Sequence, residues 1–254
     1  MKLIDWLRDT CVEYDLEPRA IYRKKGEHGW PLTAKDEDEL EKKLRDGDHF
    51  IALPKEPAAL ANVIEVSIVD YLLKEIEADE DIAATRGTER GYPDVEISGK
   101  KFGGGFHAVD VKVARFNKSG KQTKSRITLY TGNTFFRYPT LKWAGTFRPF
   151  EDYASHIDVI ALYKFNEKTL SRIEGIEIIV QEPWRIASKE RSSTTREYLG
   201  AVLSVDDLRA GKGVFETEDE FYKFWRKFPF KIGRAVQQQL DKLLAGQAKA
   251  KGKA

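Results

Sequence analysis

One run constrains the fold more than any other: Phe106-His107-Ala108-Val109-Asp110-Val111-Lys112-Val113-Ala114. Its branched and small apolar residues predict a buried strand over Phe106–Val113. Residues i and i+2 of a strand share a face, so Asp110 and Lys112 project together. Charges inside a buried strand are costly unless they have a partner or a task. The chain must therefore build a sheet around this pair. Upstream, Tyr92-Pro93-Asp94 opens a shorter strand, Val95–Ile97, and Lys-Lys-Phe-Gly-Gly-Gly supplies the turn between the two. If they form a hairpin, Asp94 approaches Asp110.

Asp94 and Asp110 would then offer two hard oxygen ligands beside the Lys112 ammonium, a set suited to Mg²⁺ acting on a phosphodiester. The lysine would stabilise developing negative charge and position or deprotonate an attacking water. The competing reading is a buried Asp–Lys ion pair with no chemistry. The short pattern alone does not choose between them: Glu41-Lys42-Lys43 repeats it, on a predicted helix with no Pro-Asp ahead of it.

The rest of the chain supplies helices and further strands. Leu3, Ile4, Leu7, Cys11 and Tyr14 recur at helical spacing, and a short charged helix is predicted near 36–45, after a loop around 26–31. Pro57 suits the first turn of a longer helix that buries Leu60, Val63, Ile64, Ser67, Tyr71, Leu72 and Ile76, with Glu65 beside the stripe. Strands are expected at Arg126–Thr131, Ile157–Phe165 and Ile176–Val180. Thr217 and Glu220 form a capping box ahead of a helix over Glu218–Phe228, and Arg234–Leu244 reads as the last helix. With no long linker or repeat, one α/β domain with a mixed central sheet flanked by helices is the economical architecture over 1–254, ending in a frayed basic tail at 245–254.

At 254 residues and 41% apolar, the chain is neither disordered nor too short for a core, and no apolar run is long enough to span a membrane. A single cysteine and an N-terminus that meets charge at once predict a reduced, cytoplasmic protein. The net charge of +2 conceals a division. Residues 1–98 carry 14 Lys and Arg against 24 Asp and Glu, a net of −10, whereas 99–254 carry 29 against 17, a net of +12. Solvated helix faces account for the acidic runs as readily as function does. On the basic side, Lys118, Lys121 and Lys124 alternate with Ser, Gln and Thr, and Arg191-Ser192-Ser193-Thr194-Thr195-Arg196 repeats the mixture. Such segments donate hydrogen bonds to phosphates and base edges.

Tyr92-Pro93-Asp94 with Asp110-Val111-Lys112 resembles the PD-(D/E)xK nuclease signature. The similarity continues through Trp30-Pro31-Leu32, Val63-Ile64-Glu65-Val66, Phe135-Phe136-Arg137, Pro149-Phe150-Glu151-Asp152-Tyr153, Val180-Gln181-Glu182-Pro183-Trp184 and Gly211–Phe221. In that order and register, these stretches resemble the EcoRV-like type II restriction endonucleases over most of the chain. The resemblance implies a restriction-endonuclease-like core and a homodimer, with dimer contacts in about 1–65. It also implies Mg²⁺-dependent cutting of both strands of double-stranded DNA at a short palindrome, blunt, with 5′-phosphate and 3′-hydroxyl ends. Asp94 and Asp110 would be metal ligands, Lys112 the catalytic lysine and Glu65 an accessory catalytic carboxylate. A cognate DNA methyltransferase acting on the same site follows from the same resemblance.

Two departures concern DNA reading. The family's base-reading loop contains Gly-Ser-Gly-Asn-Thr-Thr, whereas this chain has Arg191–Arg196 in a gap of equal length without the glycines. Close backbone approach gives way to arginines able to contact guanine in bidentate fashion. The family's Gln-Asn-His before Tyr92 becomes Glu89-Arg90-Gly91. The family's target sequence is therefore not carried over, though Glu89, Arg90 and 191–196 remain the expected DNA contacts. His28, His49, His107 and His156 lack ligand spacing, Gly103-Gly104-Gly105 reads as a turn, and Trp225 with Phe221, Phe224 and Phe228 reads as a core or dimer stripe. Two alternatives stand beside the restriction enzyme: a structure-selective or repair nuclease on the same core, and a catalytically silent DNA-binding protein.

Overall fold

In a computed structural model, the structure describes residues 1–16, 56–88, 91–168 and 172–251, with short pieces between 17 and 55. The loop expected around 26–31, most of the helix expected over 36–45, His28, and the Glu89–Arg90 pair lie outside the described residues. The elements run α1 (Leu3–Val12), β1 (Arg23–Lys24), β2 (His49–Phe50), α2 (Pro57–Glu77), β3 (Ile82–Arg86), β4 (Val95–Gly99), β5 (Phe106–Arg115) and β6 (Thr128–Thr131). After them come β7 (Ser155–Phe165), β8 (Ile173–Gln181), α3 (Pro183–Ile186), β9 (Ala187–Arg191), β10 (Tyr198–Ala201), α4 (Val205–Ala210), α5 (Glu218–Lys227) and α6 (Arg234–Lys251).

The central sheet has the order β3-β4-β5-β7-β8. β5 and β7 pair in parallel and every other pair is antiparallel, so the sheet is mixed as expected. The expected hairpin is present, with Val95 opposite Val109 and Ser98 opposite Phe106. Its turn passes through Gly103 and Gly104 at φ 89° and 79°, backbone that a side chain would strain. The triple glycine is a turn and not a phosphate cradle.

Alternation along β5 and β7 divides the core in two. Val109, Val111, Ile157, Val159 and Ala161 face α1 and α2, meeting Leu7, Leu60, Ile64 and Leu72. On α2 the buried positions Leu60, Ile64, Ile68, Leu72 and Ile76 recur every fourth residue, which makes one helical stripe. The opposite face presents Ala108, Ala114, Ile160 and Leu162 to Leu129, Phe136, Phe221 and Trp225. Central strands buried on both sides need the near-continuous apolar sequence seen here. A second sheet, β6-β10-β9, lies on this latter side.

Several elements correct the sequence expectations. β3 is an edge strand that buries only Ile82, so it lacks an apolar signal. β9 and β10 form a polar hairpin where a loop was expected. Thr217 caps α5 by accepting from the Glu220 N–H at 3.2 Å. Glu220 Oε2 reaches back to the Glu216 N–H at 3.1 Å, one residue earlier than a standard capping box requires. Residues 245–251, expected as part of a frayed tail, continue α6 because their Ala, Gln and Lys favour helix. Trp225 is fully buried and stacks on Phe230 at 5.7 Å, so the aromatic stripe is core.

Candidate active site

The register that pairs β4 with β5 carries Asp94, the residue before β4, to the middle of β5. Asp94 Oδ2 accepts a hydrogen bond from the Val111 N–H at 2.6 Å. That bond fixes one carboxylate oxygen between Asp110 and Lys112. Alternation then places Asp110 and Lys112 on one face of β5, where the lysine ammonium donates to Asp110 Oδ2. The three residues that the sequence singled out are thus brought together, and Asp110 is only 6% exposed.

Burial raises the Asp94 carboxyl above the ordinary carboxylate range, and the neighbouring Asp110 charge adds to the rise. Burial opposes the charge on Lys112, but Asp110, Asp158 and Asp94 outweigh it and hold the ammonium protonated beyond its usual range. The neighbouring carboxylates thus favour the charged form of Lys112.

Glu65 reaches the same place from α2. It lines, with Lys112, Val113, Ser125 and Arg126, an open cavity of about 260 Å³. Its carboxyl is raised by burial, lowered by Lys112 and raised by Asp110, which puts it within electrostatic range of both. The long helix supplies this residue because Ile64 and Ile68 hold the adjacent stripe against the sheet.

Sequence reasoning missed one member of the group. Asp158 lies on β7 in register with Asp110, on the same face, and is fully buried. Neither of its carboxylate oxygens has a hydrogen-bond partner among the described residues. Burial drives its carboxyl well above the ordinary range, with Lys112 lowering and Asp110 raising it. The signal was available, because an Asp in the apolar run Ile157–Tyr163 breaks the pattern as Asp110 breaks the pattern of β5.

The residues expected to meet DNA occupy two exposed segments. Lys118, Lys121 and Lys124 lie on the β5–β6 connection. Lys118 and Lys124 line a groove of about 730 Å³ with Arg115 and Lys164. The 191–196 segment is the tip of the β9–β10 hairpin. There Arg191 is committed to Glu197 at 2.7 Å, and Ser192 shares a hydrogen bond with Thr128 at 2.7 Å. Ser193 Oγ accepts from the Thr195 and Arg196 N–H groups, which folds the tip. Thr194, Thr195 and Arg196 are exposed, and the Arg196 guanidinium bonds the Tyr198 hydroxyl at 3.3 Å and lies over its ring. Of the two arginines, Arg196 is the one presented outward.

Among the histidines, His107 bonds Ser155 at 2.8 Å and His156 stacks on Phe150 at 3.9 Å, ordinary core contacts. His49 lies in β2.

With this geometry in place, comparison with known proteins becomes decisive. The family model for "Restriction endonuclease EcoRV" matches residues 27–245. The chain belongs to the EcoRV restriction endonuclease family. A member of that family, the type II restriction enzyme EcoRV of Escherichia coli, is 27% identical over 137 residues. That match covers 48% of this chain and 54% of the relative, so the chain spans about half the length of the curated relative it matches. The mixed sheet flanked by helices is accordingly the restriction-endonuclease-like fold.

The family raises the question of a metal. Among the described residues no three ligating side chains gather to enclose an ion. A pair of carboxylates still fits Mg²⁺, which keeps several waters and takes phosphate oxygens where proteins offer one or two acids. Asp94 Oδ1 and the Asp110 carboxylate are the oxygens this site has to give.

Proposed function

We propose that this chain is a type II restriction endonuclease, a Mg²⁺-dependent phosphodiesterase that cuts both strands of double-stranded DNA at a short palindrome. The observation that carries the reading is the gathering of Asp94, Asp110 and Lys112 at one face of β5 in a member of this family. Asp94 and Asp110 would hold Mg²⁺, which when bound supplies a Lewis acid to a phosphate oxygen. Lys112, kept charged by its carboxylates, stabilises the negative charge that develops on the phosphorus oxygens and orients the attacking water. Glu65, facing the same cavity, assists by holding that water or the lysine. In-line attack leaves a 5′-phosphate and a 3′-hydroxyl.

Two copies acting as a homodimer would cut the two strands at the centre of the site, giving blunt ends. The exposed tip Thr194–Arg196 is suited to read bases, with Arg191 and Ser192 bracing it, and Lys118, Lys121 and Lys124 are suited to phosphates. The reading also assigns Glu89 and Arg90 to DNA, a cytoplasmic location and a partner methyltransferase that shields the host's own sites. No helix among the described residues is long and apolar enough to cross a membrane.

Digestion of a sequenced phage DNA with Mg²⁺, followed by sequencing of the fragment ends, tests all of this at once. Discrete ends at one palindrome are expected. Cleavage confined to branched or damaged DNA would replace this function with a structure-selective nuclease, and binding without any cleavage would leave a silent DNA-binding protein.

A further inference from the structure

Asp110 has two claims on it. Its Oδ2 accepts from the Lys112 ammonium, yet the proposed reaction needs that carboxylate for a cation. A metal ion arriving at Asp110 meets an ammonium already there, and two cations on one carboxylate repel each other. The lysine must be able to leave without abandoning the site, in which its side chain is only 19% exposed.

Glu65, across the open cavity that Lys112 also lines, is one carboxylate within its range, and the fold supplies a second, buried one. Asp158 stands on the adjacent parallel strand, paired in register with Asp110 and pointing to the same face. It is wholly buried, and both of its carboxylate oxygens lack a hydrogen-bond partner among the described residues. A buried acid left in that condition costs stability unless some state of the molecule uses it. On that face Ala108, Ile160 and Leu162 are apolar, and the Gln181 amide opposite Asp158 on β8 already donates to the Arg209 carbonyl at 2.9 Å. The ammonium of Lys112, one strand away, is a cation within electrostatic range of Asp158.

We propose that Asp158 is a positioning residue that receives the Lys112 ammonium when a divalent cation takes Asp110. The lysine pivots from one carboxylate to the next, stays charged and buried, and remains beside the reacting phosphate. Asp158 thereby lowers the cost of loading the site with metal. This inference rests on the reading of Asp110 as a metal ligand.

Calorimetric titration of the full chain with Mn²⁺, without DNA turnover, tests the handover. Asp158→Asn should weaken Mn²⁺ binding by about tenfold, because the lysine then loses its buried alternative carboxylate and competes more strongly for Asp110. In the Lys112→Ala background the competitor is gone, and adding Asp158→Asn should change the affinity by less than about threefold. A merely structural Asp158 would give equal losses in both backgrounds, and that result, or no loss in either, would overturn the proposal. Asp110→Asn serves as the reference. If it binds Mn²⁺ as well as the parent, the metal-site reading itself fails and the handover with it. If Asp110→Asn loses binding while Asp158→Asn does not, the handover alone fails. A crystal structure of the parent grown with Mn²⁺ gives a check that needs no variant: Lys112 Nζ should lie on Asp158, and an ion on Asp110 with the lysine still beside it would refute the pivot.

Discussion

Protonation of the buried histidines, chiefly His156, should weaken this fold in acid. The His156 ring is packed among Phe150, Tyr130 and Tyr153, and its Nδ1 shares a hydrogen bond with the Tyr92 hydroxyl at 2.5 Å. Burial depresses its pKa from 6.5 to about 3, against a smaller opposing contribution from the Phe150 backbone. The folded chain therefore keeps His156 neutral where the unfolded chain takes up a proton. Stability from this group is complete above pH 6.5 and is lost as pH falls toward 3. Between pH 7.5 and 5, linkage gives a loss of roughly 1–2 kcal/mol, allowing for the solvent that still reaches the ring. Asp94 works in the opposite sense, because a carboxyl raised by burial favours the fold when protonated and penalises it as pH rises. The two must be separated by substitution. Urea midpoints at pH 7.5 and 5 should be measured for the parent and for His156→Asn, which cannot titrate. The variant will be less stable at both values, since the stack and the Tyr92 bond are impaired. Its change in stability from pH 7.5 to 5 should nonetheless be more favourable than the parent's by that same roughly 1–2 kcal/mol. An unchanged pH dependence would refute the assignment. The consequence reaches the candidate site, because Tyr92 and His156 each stand two residues before one of its carboxylates, Asp94 and Asp158.

Further predictions concern the site and its DNA contacts. Lys112→Ala should reduce Mg²⁺-dependent cleavage by at least about a hundredfold while leaving DNA affinity in Ca²⁺ within a few-fold of the parent, since a stabilising charge is lost and no binding contact is; near-parental cleavage rates would count against the mechanism. DNA affinity should fall steeply with salt, and replacing Lys118 and Lys124 together with Ala should lower the slope of log K against log salt by about 1 for each phosphate contact removed, measured by fluorescence anisotropy. Arg196→Ala should reduce discrimination between the cognate site and a one-base variant by about 1–3 kcal/mol, whereas Arg191→Ala should chiefly loosen the hairpin by freeing Glu197, visible in hydrogen exchange of 187–201. Thr217→Ala should cost about 1 kcal/mol in a urea titration through loss of the α5 cap.

What could be read from the sequence depended on whether an element announces itself by what it buries. β5 and β7 are enclosed on both faces and α2 packs one stripe, so their apolar patterns are strong. β3 buries one residue at a sheet edge, and β9 (Ala-Ser-Lys-Glu-Arg) is a strand because β10 pairs with it and not because its side chains ask for one. Backbone pairing of that kind leaves no periodic trace. The same division governs the site. Asp94, Asp110 and Lys112 could be found because charge in a buried strand demands an explanation, and a Pro-Asp at a strand start gave the second carboxylate a route to the first. Asp158 carries the same mark within Ile157–Tyr163, but a lone Asp matches no motif, and its relation to Asp110 exists only in the parallel register of β5 with β7. That register brings together residues 48 apart in sequence, a separation no local pattern can encode. A motif therefore locates the residues of the candidate site, while the sheet order determines which further charges those residues must live beside. In this chain that order sets Asp158 next to Asp110, within electrostatic range of Lys112.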